Sequence, residues 1–141
     1  MIELNTIGDI MSKDIFTVGP TSTVQQTVVA MVEAQAAAAL IVDPENGNLL
    51  GVFTERDLVR RVIGKDLDPK TTIVTDVMTP DPVCCKPSDE IKTVAMLMVD
   101  RKFRNLPIKD GKTLVGMVSI LDMLKYLAEI YQHSVFSSQF I

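Results

Sequence analysis

An internal repeat is the feature that most restricts the fold of this chain. The tetrapeptide Asp9-Ile10-Met11-Ser12 returns as Asp76-Val77-Met78-Thr79, at an offset of 67 residues. Further identities follow in the same order, first at an offset of 67 and then of 65: Asp14 with Asp81, Pro20 with Pro87, Met31 with Met98, Ile41 with Ile108, Gly51 with Gly116 and Asp57 with Asp122. Such an ordered series indicates a duplicated structural unit, and a turn shortened by two residues explains the smaller offset.

Each copy predicts a short strand and then a helix. The predicted strands are Thr17-Val18 and Cys84-Cys85. Ser22 and Gln25 have the spacing of a capping box, and Ser88-Asp89-Glu90 precedes the helix of the second copy. Apolar residues at helical spacing continue the two patterns: Val24, Val28, Met31 and Val32 in the first copy, and Ile91, Val94, Ala95 and Met98 in the second.

A hairpin and a last helix complete each copy. Two apolar runs flank Asn46-Gly47 in the first copy and Asp110-Gly111 in the second. Because these dipeptides supply the positive φ that hairpins need, the pairing is predicted to be antiparallel. The last helix of the first copy is expected from Thr54 to Ile63, with Gly64 as its C-terminal stop, and that of the second copy from Ser119 to Tyr131.

The fold class that follows is α+β, with two tandem β-α-β-β-α repeats packed through their sheets. One repeat has three short strands and two helices, and so few residues make a poor hydrophobic core alone. Two copies packed against each other overcome this shortage of buried surface.

The composition excludes several classes of function. A net charge of −4 disfavours a nucleic-acid partner, since phosphate contacts need clustered cations. The longest apolar stretch, residues 36–42, is far shorter than the ~20 residues of a membrane span, and the N-terminus has no signal-peptide pattern. Adjacent Cys84 and Cys85, with His133 far away, match neither a disulfide framework nor a zinc site. We therefore expect a cytoplasmic protein without a metal site and without membrane association.

One motif with chemical potential occurs in both copies. Residues 51–57 place a hydroxyl, Thr54, at a strand end and Asp57 three residues later, and residues 116–122 repeat this with Ser119 and Asp122. The simplest interpretation is a capping box at each helix start. The alternative is a nucleotide cradle, in which the hydroxyl and helix amides face phosphate and the carboxylate accepts hydrogen bonds from ribose hydroxyls. The residues alone leave both interpretations open.

These repeats resemble the CBS (cystathionine beta-synthase) domain family. The resemblance is carried by Asp-(Ile/Val)-Met-(Ser/Thr) at the start of each copy and by the Gly-x-x-(Thr/Ser)-x-x-Asp motif at its end. It implies a first CBS domain at residues 7–64, a linker at 65–73, a second CBS domain at 74–129 and a C-terminal tail at 130–141. It also implies a stand-alone regulatory pair, or Bateman module, that binds AMP, ADP, ATP or related adenosyl ligands in the cleft between two CBS domains and requires no cofactor.

The resemblance assigns roles to nine residues. Asp57 and Asp122 correspond to ribose-binding aspartates, Thr54 and Ser119 to the hydroxyls beside them, and Arg104 to a phosphate contact. The strands with Thr17, Val18, Cys84 and Cys85 correspond to segments that contact adenine. The copies differ, because Ala37 stands where the second copy has Arg104, and Leu121 stands where the first has Arg56. Arg56 is the tenth residue of the expected ligand-binding set, and no pocket is assigned to it.

Other functions remain as alternatives. A ligand-free scaffold would dimerise and hold a partner protein, and a homodimer through the helices is expected in either case. An enzyme is not expected, because no acid–base pair or activated nucleophile is evident, and no catalytic residues are predicted. Arg60, Arg61 and His133 are interpreted as solvated, and the tail is either disordered or docked on a partner subunit.

Overall fold

The structure is a computed structural model that describes the backbone of residues 6–140 and the side chains of residues 6–132. It confirms the α+β class. The chain divides into two compact units. Unit I comprises Ile15–Val83 with Lys112–Leu114. Unit II comprises the described residues up to Asp14, Cys84–Gly111 and the residues from Val115 onward.

Unit I is built on a four-stranded sheet. The strands are β1 (Thr17–Val18), β2 (Ala38–Val42), β3 (Leu49–Thr54) and β4 (Thr79–Pro80), and they lie side by side in that order. Strand β1 runs parallel to β2, while β2–β3 and β3–β4 are antiparallel, so the predicted hairpin is confirmed. Gly47 has the positive φ of 73° that the turn requires.

Two helices of unit I pack against this sheet. Helix α1 is Val24–Ala34, and α2 starts as Glu55–Asp57 and continues as a π-helical turn at Leu58–Val62 and a 3-10 turn at Ile63–Lys65. The buried core consists of Val24, Met31, Ala39, Ile41, Phe53, Val62, Val74 and Val77. All of them are apolar, and Phe53 is the one aromatic residue in this cluster.

Two local predictions for unit I were wrong. The capping box uses Thr23 and Gln26, one residue later than Ser22 and Gln25, because the Thr23 hydroxyl accepts the Gln26 amide at 3.1 Å. Gly64 is not the helix stop, since the left-handed residue after the last turn is Asp66, with φ of 59°.

Unit II repeats the helix–hairpin–helix order. Helix α3 is Ile91–Arg101, β5 is Asn105–Asp110, β6 is Thr113–Ser119 and α4 is Ile120–Phe140. A two-residue turn joins β5 to β6, which makes this pair antiparallel. The predicted strand at Cys84-Cys85 is reduced to one parallel bridge between Cys85 and Ile108. Helix α4 continues nine residues past the predicted end at Tyr131, so the backbone of the predicted tail is helical as far as Phe140.

The opening segments of the two repeats are exchanged between the units. Residues 6–12 open the first repeat, yet Gly8 donates to the Pro87 carbonyl at 2.9 Å and Ser12 pairs with Met117, both in unit II. Residues 74–80 open the second repeat, yet β4 pairs with β3 in unit I. Each compact unit is therefore made from parts of both repeats.

Candidate functional site

The Thr54–Asp57 motif of unit I forms a complete capping box. Oδ2 of Asp57 accepts the backbone amide of Thr54 at 3.0 Å and the Thr54 hydroxyl at 3.2 Å. The Asp57 amide in turn donates to Oγ1 of Thr54 at 3.2 Å. Asp57 is 7% exposed and is one of two polar residues buried among those described. The carboxylate is therefore fixed by two hydrogen bonds, and both of these cap contacts use Oδ2.

The Ser119–Asp122 motif of unit II has the same geometry. Oδ2 of Asp122 accepts the Ser119 amide at 2.7 Å and the Ser119 hydroxyl at 3.0 Å, and the Asp122 amide donates to Oγ of Ser119 at 3.1 Å. Since both repeats form the box with the same atoms, the capping interpretation of the motif is correct. Oδ1 of each aspartate takes no part in its cap.

The caps use most of the amides that a phosphate would need. The Glu55 amide donates to the carbonyl of Ala37 at 3.2 Å, and the Ile120 amide donates to the carbonyl of Arg104 at 2.9 Å. Together with the cap bonds, these two hydrogen bonds use every amide of each first turn except one, which is that of Arg56 in α2 and that of Leu121 in α4. Amide donors at the helix starts therefore offer little to a phosphate group, whereas the carboxylate oxygens Oδ1 are placed to accept hydroxyl donors.

The strand residues expected near adenine are separated from the capped motif of unit I by strand β2. Thr17 pairs with Leu40 and Val18 with Ile41, while Thr54 pairs with Ala38 on the opposite edge of β2. In unit II the equivalent of the Val18–Ile41 pair is the bridge between Cys85 and Ile108. Of the ten predicted residues, unit I contains Thr17, Val18, Thr54, Arg56 and Asp57, and unit II contains Cys84, Cys85, Arg104, Ser119 and Asp122.

The two predicted arginines are both exposed. Arg56 is the second residue of α2, directly before Asp57. Arg104 immediately precedes β5, and its carbonyl bond to Ile120 holds its backbone at the start of α4. Each arginine therefore adjoins a different capped carboxylate.

Arg61 contacts the site although it was interpreted as a solvated residue. Its Nε lies 3.5 Å from Oδ1 of Asp57, and its Nη1 donates to the Met78 carbonyl at 2.9 Å. The separation of four residues from Asp57 is a recognisable helical ion-pair spacing, so the first contact could have been predicted. The contact with Met78 depends on the exchange of segments between units, which the sequence does not reveal.

Neither cysteine is in a disulfide, and neither has the environment of a nucleophile. Burial raises the pKa of the Cys85 thiol to about 11, with Asp89 and Cys84 adding to the increase. Burial also raises the pKa of Cys84, partly opposed by the nearby Lys109 ammonium. Because the thiolate is the reactive form, both thiols are poorly reactive near neutral pH, in keeping with a role in lining the site.

Two further classes of site are absent from the described residues. No group of three or more His, Cys, Asp or Glu side chains there is arranged to hold a metal ion. No helix within the described part is both long enough and apolar enough to cross a membrane.

A cavity of about 590 Å³ lies in unit I away from the capped carboxylate. Its walls include Val32, Ala36, Glu55 and Val59, and none of the predicted ligand-binding residues lines it. In unit II the residue equivalent to Ala36 is Phe103, which packs against the core of that unit. The cavity therefore occupies space that an aromatic ring fills in the other repeat.

Two duplicated β-α-β-β-α repeats, each with a capped carboxylate after its hairpin, define a tandem domain of a known type. The family model of the CBS domain matches residues 7–64 and 74–129, so the chain belongs to the CBS domain family. CBS domain-containing protein YhcV of Bacillus subtilis is 31% identical over 120 residues, covering 85% of this chain and 84% of that protein. The chain spans 15%, 61% and 54% of the lengths of three other curated relatives.

Solved structures agree with this assignment. CBSX2 in complex with AMP has a TM-score of 0.76 and 27% identity, covering 89% of this chain and 98% of that one. The hexameric CBS-CP12 protein from bloom-forming cyanobacteria has a TM-score of 0.77 and 29% identity, covering 86% of this chain and 70% of that one. The predicted family and fold are confirmed.

Proposed function

We propose that this chain is a regulatory module that binds an adenine nucleotide or related adenosyl compound, with ribose hydroxyls on Asp57, on Asp122 or on both. The observation that carries the proposal is the pair of capped carboxylates. A ribose presents two adjacent hydroxyl donors, and an ionised carboxylate is an acceptor whose Oδ1 remains for them when Oδ2 is used by the cap. The AMP bound to CBSX2, a structural relative, supports the choice of an adenine nucleotide.

The same geometry makes a catalytic function less suitable than a binding function. Each carboxylate is committed to a cap, and both thiols are held in the protonated form by burial. The ligand set in the proposal is the one expected from the sequence: Thr17, Val18, Thr54, Arg56 and Asp57 in unit I, and Cys84, Cys85, Arg104, Ser119 and Asp122 in unit II. AMP, ADP and ATP are the proposed ligands, and a cytoplasmic location remains part of the proposal.

Calorimetric titration with AMP, ADP, ATP, adenosine, S-adenosylmethionine and NADH tests the proposal. At least one adenine nucleotide should bind. Asp57→Asn and Asp122→Asn keep an oxygen for the cap but lose the charge, so the variant at an occupied site should lose about 1–3 kcal/mol of binding free energy. Affinity unchanged in both single variants and in the double variant would contradict the proposal.

Asp9→Asn is the matched control for this titration. Asp9 caps Thr6 through Oδ2 in the same way, accepting the Thr6 amide at 3.1 Å, but it lies outside the proposed site. Its substitution should leave nucleotide affinity unchanged. A loss of affinity in Asp9→Asn equal to that in the site variants would show that weakened caps, and not lost ribose contacts, cause the effect.

A ligand-free scaffold is the second candidate. It is favoured by Arg61, which occupies the neighbourhood of Oδ1 in Asp57, and by the exposed apolar residues on the helices. The titration separates the candidates, because a scaffold would show no heat of binding with any member of the ligand panel and would still self-associate.

A further inference from the structure

Arg61 joins two parts of unit I that belong to different repeats in the sequence. Its Nε faces Oδ1 of Asp57 at 3.5 Å, and its Nη1 donates to the Met78 carbonyl at 2.9 Å. Asp57 ends the motif of the first repeat, whereas Met78 lies in the tetrapeptide that opens the second. One guanidinium therefore links the proposed ribose carboxylate to the exchanged segment, residues 74–80.

The residue that makes this link differs between the two repeats. At the offset of 65 residues, the position of Arg61 corresponds to Tyr126 in unit II. A tyrosine carries no positive charge at neutral pH and cannot present two guanidinium donors in fixed directions. The two capped carboxylates, which are otherwise built alike, thus differ in whether a cation ties them to the neighbouring segment.

A ribose bound at Asp57 would compete with Arg61 for the same oxygen. Oδ2 is already occupied by the cap, so Oδ1 is the atom that remains for a hydroxyl donor. The side chain of Arg61 is 47% exposed, and exposed ion pairs are weak enough for a ligand to displace. Once released from Asp57, the arginine side chain regains rotational freedom, which weakens its hold on the Met78 carbonyl.

The segment held by Arg61 has its own backbone amides, which can report a change. Val74 donates to the Ser22 carbonyl at 2.9 Å, and Met78 donates to the Val74 carbonyl at 2.9 Å. Exchange of such amides with solvent measures local opening of the segment. A weaker hold on the Met78 carbonyl should therefore speed exchange at residues 74–78.

We propose that Arg61 is a regulatory coupling residue, which transmits occupancy of Asp57 to residues 74–80. The proposal rests on the proposed binding of ribose at Asp57. In this role the unit I site senses the ligand and loosens the segment that opens the second repeat. The chain runs on from this segment to Cys84 and Cys85, the strand position of the other site.

Hydrogen exchange read by mass spectrometry tests the coupling, with the wild-type chain and Arg61→Gln each measured free and saturated with adenosine. Adenosine is chosen because it has the ribose but no phosphate that could attract Arg61. In the wild type, adenosine should speed exchange of residues 74–78 about two- to fivefold, the range that corresponds to loss of one exposed ion pair. Arg61→Gln should exchange at the faster rate without adenosine and should not respond to it.

Arg60→Gln is the matched control. Arg60 is exposed on the same helical segment, makes neither of the two Arg61 contacts, and loses the same charge on substitution. It should respond to adenosine as the wild type does. An equal response in Arg61→Gln and wild type, or no response in wild type saturated with adenosine, would overturn the coupling while leaving nucleotide binding intact. Failure of the titration itself, with no adenosine bound, would overturn both proposals.

Discussion

At the scale of single residues, the caps give the two aspartates a fixed direction before any ligand arrives. Oδ2 of Asp57 and of Asp122 is held by an amide and a hydroxyl from the residue three positions earlier. A side chain that is already ordered loses little conformational entropy when a ligand binds. A structural cap and a ligand contact are therefore compatible functions of one carboxylate.

We expect the arginines to decide how strongly a phosphate is bound. Arg104 adjoins the Ser119–Asp122 motif, whereas its counterpart in the first repeat, Ala37, offers no donor. Guanidinium groups present a fork of donors that matches phosphate oxygens. Arg104→Ala should therefore weaken AMP binding by about 1–3 kcal/mol and leave adenosine binding nearly unchanged, as measured by calorimetry.

Arg56→Ala provides the comparison for this prediction. Arg56 is equally exposed but adjoins the other carboxylate, in unit I. If Arg56→Ala alone weakens AMP relative to adenosine, then the stronger phosphate contact belongs to Arg56 and the assignment to Arg104 is wrong. Nucleotide binding itself would survive that result.

At the scale of secondary-structure elements, two glycines allow the exchanged segments to approach the hairpins. A Cβ at Gly51 would lie 2.7 Å from the Thr79 carbonyl oxygen, and one at Gly116 would lie 2.8 Å from that of Ser12. Both obstacles are backbone atoms, which cannot move without shifting a strand. Gly51→Ala and Gly116→Ala should each reduce the free energy of unfolding by about 1–3 kcal/mol, measured by denaturant titration.

Gly19→Ala is the control for this effect. No atom lies within 4 Å of a Cβ built at Gly19, so its substitution should be neutral or slightly stabilising. Equal stability of Gly51→Ala, Gly116→Ala and Gly19→Ala would mean that β3 and β6 do not need this close approach.

The order of elements was predictable because it depends on local patterns. Apolar spacing gave the helices, and Asn46-Gly47 and Asp110-Gly111 gave the turns. The exchange of opening segments was not predictable, because it depends on pairing between distant strands and leaves no periodic signal. The π-helical turn at Leu58–Val62 was also missed, because its residues have ordinary helical spacing.

The candidate site was predictable in part. The hydroxyl and carboxylate spacing revealed both caps, and the structure shows them with the atoms expected of a capping box. The sequence did not reveal that the Ala37 and Arg104 carbonyls accept amides of the helix first turns, because these carbonyls lie just before the start of a different strand. The roles of the ten residues in ligand binding stay predictions.

At the scale of the whole molecule, both repeats leave the same helix positions exposed. Val32 and Val99 are equivalent at the offset of 67 and are each 72% exposed. Val59 and Leu124 are equivalent at the offset of 65 and are 63% and 55% exposed. Duplicated apolar positions on exposed helices, together with the cavity beside Val32 and Val59, are typical of a surface that another protein chain covers.

We expect this surface to hold two copies of the chain together. Light scattering at micromolar concentration should give twice the chain mass of 15.5 kDa. Six times the chain mass would instead indicate a hexamer, the assembly of the CBS-CP12 relative. Val59→Glu and Leu124→Glu should shift the mass toward the monomer, because burying an unpaired carboxylate is costly.

Leu67→Glu is the matched variant for self-association. Leu67 is 41% exposed but lies outside the helices, so its substitution should leave the mass unchanged. A monomeric wild type, or equal dissociation by all three glutamate variants, would contradict an interface made by the helices.

The exchange of opening segments also limits how the gene can be divided. A cut in the exposed stretch at residues 65–68 would separate the repeats cleanly in sequence, yet each fragment would carry the piece that completes the other's fold. Neither half should fold independently when fused to another protein, whereas the two halves expressed together could reassemble by fragment complementation. Evolution would then duplicate, fuse or discard the two repeats as an inseparable pair.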